Sequence, residues 1–418
     1  MLSKKLTVDK IPHMIKNKRV LVRVDFNVPI KDGKVADPTR IVSTLDTINF
    51  LKENGAKSIV LMSHLGRPKG VRQEQFSLAP VVPALEDIIG QKVNFLNDCI
   101  GTEVEGEVAN TKDGNILLLE NLRFYLEEEG KGVINGEKVK ADPTKVESFR
   151  SQLTRLGDLY VNDAFGTCHR AHSSMVGVNV DTRAAGFLLK KELDYFSKVL
   201  EDPKRPLTVI LGGAKVADKI QLINNLLDLA DEMIIGGGMA FTFNKVLNNT
   251  PIGASLYDEE GAKTVHGIME KAKEKGVKIH IPSDFVCAES FAEDAKFAYK
   301  TEDEGVPDGW LGLDIGDKTI RSFDEVIRRS NTLFWNGPSG VFEWKNFAKG
   351  SHAMLQAVTE STKNGTVSVC GGGDTLNLLK QVDGAKENIS HVSTGGGASL
   401  ELVEGKELPG IKALSDIN

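Results

Sequence analysis

Short runs of β-branched and aliphatic residues alternate with longer helix-period segments along the whole chain, and this alternation limits the possible folds more than any other feature. It is the pattern of parallel α/β sheets, in which each strand is reached from the last through a helical crossover. The first half carries RVLVRVDF, SIVLMSH, KVNFLN, NILLLEN and LYVNDAF. The second carries LTVILGG, EMIIGGG, KIHIPSD, TLFWNGP, VSVCGGG and HVSTGGG. Helices are expected between the runs, for example over 39–54 and 215–230. A chain of 418 residues is too long for one ordinary core, so two large α/β halves are expected.

Between the two series lies KKELDYFSKVLEDPKRP, with Leu193, Phe196, Val199 and Leu200 at helical spacing. The spacing predicts a connecting helix over 189–204, between a first domain at 1–188 and a second at 205–405. The remaining segment, 406–418, is expected to return to the first domain. Glu127, Glu128 and Glu129, followed by GKGVINGEK, read as a solvated hairpin without a function.

Lys plus Arg number 52 against 58 Asp plus Glu, a formal charge of -6 that argues against a general nucleic-acid binder. The charge is uneven. Residues 1–190 hold 27 basic and 24 acidic side chains, while 191–418 hold 25 and 34, so the first half suits an anionic partner better. Cys99, Cys168, Cys287 and Cys370 are scattered without metal-ligand spacing and read as reduced thiols of a cytosolic protein. No apolar run approaches the roughly 18 residues of a membrane span, and neither terminus matches a targeting signal. No membrane partner is expected.

Four strand-like runs of the second half end in paired or tripled glycine: Gly212-Gly213, Gly236-Gly237-Gly238, Gly371-Gly372-Gly373 and Gly395-Gly396-Gly397. In a parallel sheet the carboxyl ends of the strands share one edge, and glycine there lets backbone amides approach an anion at the next helix N-terminus. Four such turns point to phosphate, although any one could serve only as a tight turn. Neither a dinucleotide G-x-G-x-x-G nor a P-loop motif occurs.

The local chemistry fits that reading. In GGAKVADKI, Lys215 and Lys219 are four residues apart and would share one helical face, able to neutralise two phosphoryl groups. Asp218 between them could tether a lysine or approach a metal. Asp374 and Thr375 sit at an expected helix start, where a carboxylate would cap the helix yet repel phosphate unless a cation lay between them. Mg²⁺, which takes one or two carboxylates plus phosphate oxygens and water, suits this position. Glu343 in WNGPSGVFEW, near Asn336, suits either ribose hydroxyls or solvent. In the first half Arg23, Asp25, Asn27, Arg40, His64, Arg67, Arg123, His169, Arg170 and His172 follow strand-like runs. If those strands are parallel, the groups gather as a basic bowl suited to a small anion bearing carboxylate and phosphate. His64 could equally be structural.

RVDFNVP, SHLGRP, ENLRF, AFGTCHRAHSS, GGAKVADKI, WNGPSGVFEW, GGGDT and STGGGASLE occur in the order and approximate spacing of phosphoglycerate kinases, and the chain resembles that family along essentially its whole length. Cys168 and Ser339 depart from it, at side chains the mechanism does not need. The resemblance implies two Rossmann-like three-layer domains with mainly parallel sheets, joined by a connecting helix and hinge. It implies a cytosolic monomer that transfers phosphate reversibly between 1,3-bisphosphoglycerate and MgADP, giving 3-phosphoglycerate and MgATP, in line and after domain closure. Substrate would be held by Val24, Asp25, Phe26, Asn27, Arg40, Ser63, His64, Gly66, Arg67, Leu122, Arg123, His169 and Arg170. Nucleotide would be held by Gly213, Ala214, Lys215, Lys219, Gly237, Gly312, Asn336, Gly337, Phe342, Glu343, Gly373, Asp374 and Thr375. Arg40, Lys215, Gly372 and Gly395 would act on the transferring group, with Asp374 and Asp218 as metal candidates.

Overall fold

The computed structural model describes residues 1–417. Two compact units are present, one formed by Met1–Asp194 with the C-terminal segment from Glu407, the other by Tyr195–Lys406.

In the first unit six strands form one parallel sheet in the order Arg183–Ala185, Leu159–Asn162, Arg19–Arg23, Ser58–Met62, Asn115–Leu118, Val93–Phe95. The runs read from sequence form five of these; the short Arg183–Ala185 strand at the edge was not anticipated. Helices cover both faces, so alternation in the central strands sorts residues between two cores instead of between core and water. Val20, Val22, Ile59, Leu61, Ile116 and Leu118 pack on one side, while Leu21, Val60, Met62, Leu117 and Tyr160 pack on the other. Full burial of each aliphatic side chain contributes about 1.5–3 kcal/mol.

The single helix expected over 39–54 is two, Thr39–Val42 and Leu45–Glu53. Ser43 Oγ donates to the carbonyl of Thr39 and Thr44 Oγ1 to that of Ile41, both at 2.8 Å, and these side-chain bonds compete with the helical ladder at the break. The acidic run also differs from expectation. Lys131–Ile134 and Glu137–Lys140 do form a hairpin, but Glu127–Glu129 belong to a preceding helical turn, Leu126–Glu129, and Glu128 is buried. The C-terminal segment pairs with the first unit through Leu6 N to Ser415 O at 2.7 Å and Ser415 N to Arg183 O at 2.9 Å. The helix read over 189–204 runs Phe187–Leu200, and the division between units falls within it.

In the second unit six strands form a parallel sheet in the order Lys278–His280, Glu232–Ile235, Leu207–Leu211, Thr332–Asn336, Val367–Cys370, His391–Val392. Beside it lies an antiparallel sheet that the sequence reading missed, with Asp284–Ala288 between Phe297–Thr301 and Leu311–Ile315.

Candidate functional site

Each unit gathers polar groups where its parallel strands end. In the first unit the loops after three strands are laced together. Asp25, just past Arg19–Arg23, accepts from Arg40 Nη1 at 2.9 and 3.0 Å and from the backbone N of Asn27 at 3.1 Å. Asn27 Oδ1 accepts from Gly66 N at 2.9 Å, and the carbonyl of Gly66 accepts from Arg123 Nη1 at 3.1 Å. Gly66 has φ +63°, and a Cβ there would lie 2.4 Å from the Phe76 ring, so both backbone and space demand glycine. Ser63 Oγ holds the loop from below by accepting from Phe26 N.

Val24, Phe26, Ser63 and Leu122 are buried, so of this group only backbone can face a ligand. Arg67 and Arg170 are exposed and make no ion pair among the described residues. His169 lies with Arg170 in the loop after the turn Phe165–Thr167. Arg23 is not on the bowl's surface: it is fully buried beneath it and bonds Ser174, the Val24 carbonyl and His64. Burial first, and then Arg23, Arg123, His172 and Arg40, push the His64 pKa well below its ordinary value. Burial also lowers that of Arg123, against the attraction of Glu129. The bowl thus presents guanidinium charge and neutral imidazole.

In the second unit the glycine turns line a cavity of about 740 Å³. Gly213, Ala214, Lys219, Gly237, Gly312, Asn336, Gly337, Gly372, Gly373, Asp374 and Thr375 are all in its wall. Helices Met239–Asn248, Gly373–Lys380 and Gly397–Val403 begin at these turns; the Met239, Ala240 and Phe241 amides bond the carbonyls of Gly213, Gly237 and Gly238, so the start of Gly373–Lys380 is the better placed to meet an anion. Lys219 Nζ donates to Asn336 Oδ1 at 2.7 Å, and Asn336 Nδ2 donates to the Gly371 carbonyl at 3.2 Å. Burial lowers the Lys219 pKa, opposed by Asp374, Glu404 and Asp218. Thr375 is buried, and its Oγ1 accepts from Gly337 N at 2.8 Å, which ties the loop after Thr332–Asn336 to the helix carrying Asp374.

Several sequence assignments fall elsewhere. Lys215 and Lys219 do not share a helical face, because the chain turns through a 3-10 segment, Ala217–Lys219, and the helix begins at Ile220. Lys215 and Asp218 are exposed and outside the cavity wall. Asp374 is not the cap of its helix: Gly372 is, and Asp374 lies two residues further in. Phe342 packs in the core with Ile315 and Trp335, while Glu343 is exposed outside the wall. Gly395 is buried, and Gly396 and Gly397 line the cavity instead.

An apolar wall was also missed, formed by Phe241, Leu256, Phe291, Leu311, Leu313 and Val341. Most of these come from the antiparallel sheet and loops, and apart from Val341, in WNGPSGVFEW, no local motif marks them. A cavity with one apolar wall and glycine amides opposite suits a flat ring attached to phosphates. No cluster of three or more metal-ligating side chains occurs among the described residues.

Residues 9–406 match the family model described as phosphoglycerate kinase. The chain is 98% identical over 418 residues to a phosphoglycerate kinase of Euplotes crassus and 65% identical over 417 residues to that of Sterkiella nova, each comparison covering 100% of both chains. Among solved structures, the phosphoglycerate kinase of Coxiella burnetii superposes with a TM-score of 0.87 at 37% identity, covering 98% of each chain.

Proposed function

The chain belongs to the phosphoglycerate kinase family, and from that premise we propose how its residues divide the reaction. As a kinase of this family it exchanges phosphate between 1,3-bisphosphoglycerate and ADP, giving 3-phosphoglycerate and ATP in glycolysis. The observation that carries the proposal is the separation of two anion-suited clusters, an arginine-rich one in the first unit and a glycine-lined cavity in the second. We assign the glycerate substrate to the first cluster, with Arg67 and Arg170 free to meet phosphate or carboxylate and Arg40 oriented by Asp25. Nucleotide goes to the second, its base against the apolar wall and its phosphates at the glycine turns and Lys219.

An acyl phosphate is already activated, and a carboxylate is a competent acceptor at neutral pH, so the residues need supply no general base or covalent nucleophile. Their work is to position the two oxygens and neutralise charge. Arg40 and Lys215 are proposed to reach the transferring group, aided by the amides at Gly372 and Gly396. Asp374 fits Mg²⁺ entering with the nucleotide, since its single carboxylate borders the phosphate end of the cavity. Bound Mg²⁺ would neutralise phosphate charge. Asp218, outside the wall, is the weaker candidate.

Transfer in line and without water requires the two units to close when both substrates are held. A smaller radius of gyration by solution scattering with 3-phosphoglycerate and a MgATP analogue is expected; an unchanged profile would refute closure. No helix among the described residues is long and apolar enough to cross a membrane. We propose a cytosolic monomer without nucleic-acid or membrane partners, which sedimentation would check for mass. A coupled assay with 3-phosphoglycerate and MgATP tests the substrate, and no turnover by folded protein would overturn it.

A further inference from the structure

We propose that Glu128, Ser174 and Arg23 form a buried relay that fixes His64 as the neutral tautomer protonated on Nε2, making it a hydrogen-bond donor to the anionic substrate. The inference deepens the assignment of the glycerate substrate to the first unit and rests on it. Ser174 Oγ accepts from Arg23 Nε at 2.8 Å and donates its own proton to Glu128 Oε1, while Glu128 Oε2 accepts from Ser174 N at 2.9 Å. One hydroxyl therefore links a carboxylate to a guanidinium with every proton accounted for. At the other end of Arg23, Nη2 lies 3.2 Å from His64 Nδ1.

Guanidinium can only donate, so Nδ1 must accept, and the imidazole proton must be on Nε2. Nε2 has no hydrogen-bond partner among the described residues and is left to bond a ligand. Arg23 and His64 sit beneath the loops carrying Arg40, Gly66 and Arg123, and burial, then the surrounding positive charge, favours the neutral ring. Arg23 and Glu128 are both buried, so neither charge is screened by water, and losing the hydroxyl between them would leave Arg23 Nε without an acceptor and the guanidinium held only by the Val24 carbonyl and His64. The middle glutamate of an acidic run that looks solvated in the sequence is thereby a positioning residue, as is Ser174.

The test is ¹⁵N NMR of the histidine side chains in the full chain, with His64 assigned through His64→Gln. Wild type without substrate should show His64 neutral and protonated on Nε2 at pH 7. Ser174→Ala should mix the two tautomers and raise KM for 3-phosphoglycerate about tenfold, with nucleotide KM within twofold of wild type, and Ser174→Thr should restore both. A His64 ring protonated on Nδ1, or cationic, in wild type overturns the inference even if no variant folds. An unchanged tautomer in folded Ser174→Ala does so too. Failure of the substrate assignment would appear differently, as the expected tautomer in a protein whose His64 signals do not shift when 3-phosphoglycerate is added.

Discussion

Gly312→Ala tests which cavity takes the nucleotide. A Cβ on Gly312 would lie 2.0 Å from Phe241 Cζ, whereas ordinary contact starts at 3.4 Å, so the ring must move by about 1.4 Å. Behind it Phe241 packs on Phe285 at 5.2 Å between centroids, and Phe241 is only 6% exposed, so the core resists and the ring moves toward the cavity it lines. Overpacking of this kind costs about 1–3 kcal/mol. If bound nucleotide must push the ring back, that strain is charged to binding, and at tenfold per 1.4 kcal/mol the loss is about 5- to 150-fold in nucleotide affinity. The assay is steady-state kinetics with each substrate varied in turn, beside denaturation midpoints. Nucleotide KM should rise, KM for 3-phosphoglycerate should hold within twofold, and Phe241→Leu in the same chain should recover part of the loss. A folded variant with unchanged nucleotide KM, or with both KM values raised alike, would refute the reasoning.

The other expectations are simpler. Arg40→Ala and Lys215→Ala should each lower kcat about 100- to 1000-fold, matching about 2.7–4 kcal/mol for a preorganised donor, and near-normal turnover would remove their assigned roles. Asp374→Asn should raise the Mg²⁺ concentration needed for half-maximal rate and weaken Mn²⁺ binding to the ADP complex by electron paramagnetic resonance, with KM for 3-phosphoglycerate unchanged; unaltered metal dependence would count against it. Burial, then Arg123, Arg23, Arg170 and His169, lower the His172 pKa to about 3 from 6.5. Between those values the unfolded chain binds a proton that the folded unit refuses, so stability present above about pH 6.5 is lost as pH falls toward 3, by about 1.4 kcal/mol per pH unit for this group. His172→Gln should flatten that part of the denaturation profile, and an unchanged slope would show that other groups control it.

The parallel sheets were legible because a central strand buried on both faces must be largely aliphatic, and eleven strand-like runs, most set apart by helical periods, leave few alternatives. Glycine turns and the Lys219, Asn336, Asp374 and Thr375 positions were legible for the same reason, since strand ends share an edge in such a sheet. What sequence spacing could not decide was where a side chain stands relative to that edge. Lys215 and Asp218 look equivalent to Lys219 along the chain, yet a 3-10 turn leaves them outside the cavity wall. Phe342 and Phe241 are both aromatic residues in apolar surroundings, and only packing puts the first in the core and the second in the wall. In the sequence Arg23 reads as a member of the basic bowl and Glu128 as a solvated charge; tertiary structure buries both and joins them through Ser174. The sequence by itself determined the fold class and the kind of chemistry, which depend on local periodicity and residue type. Tertiary structure alone decided which charges face solvent and which are desolvated, because burial depends on residues distant in the chain.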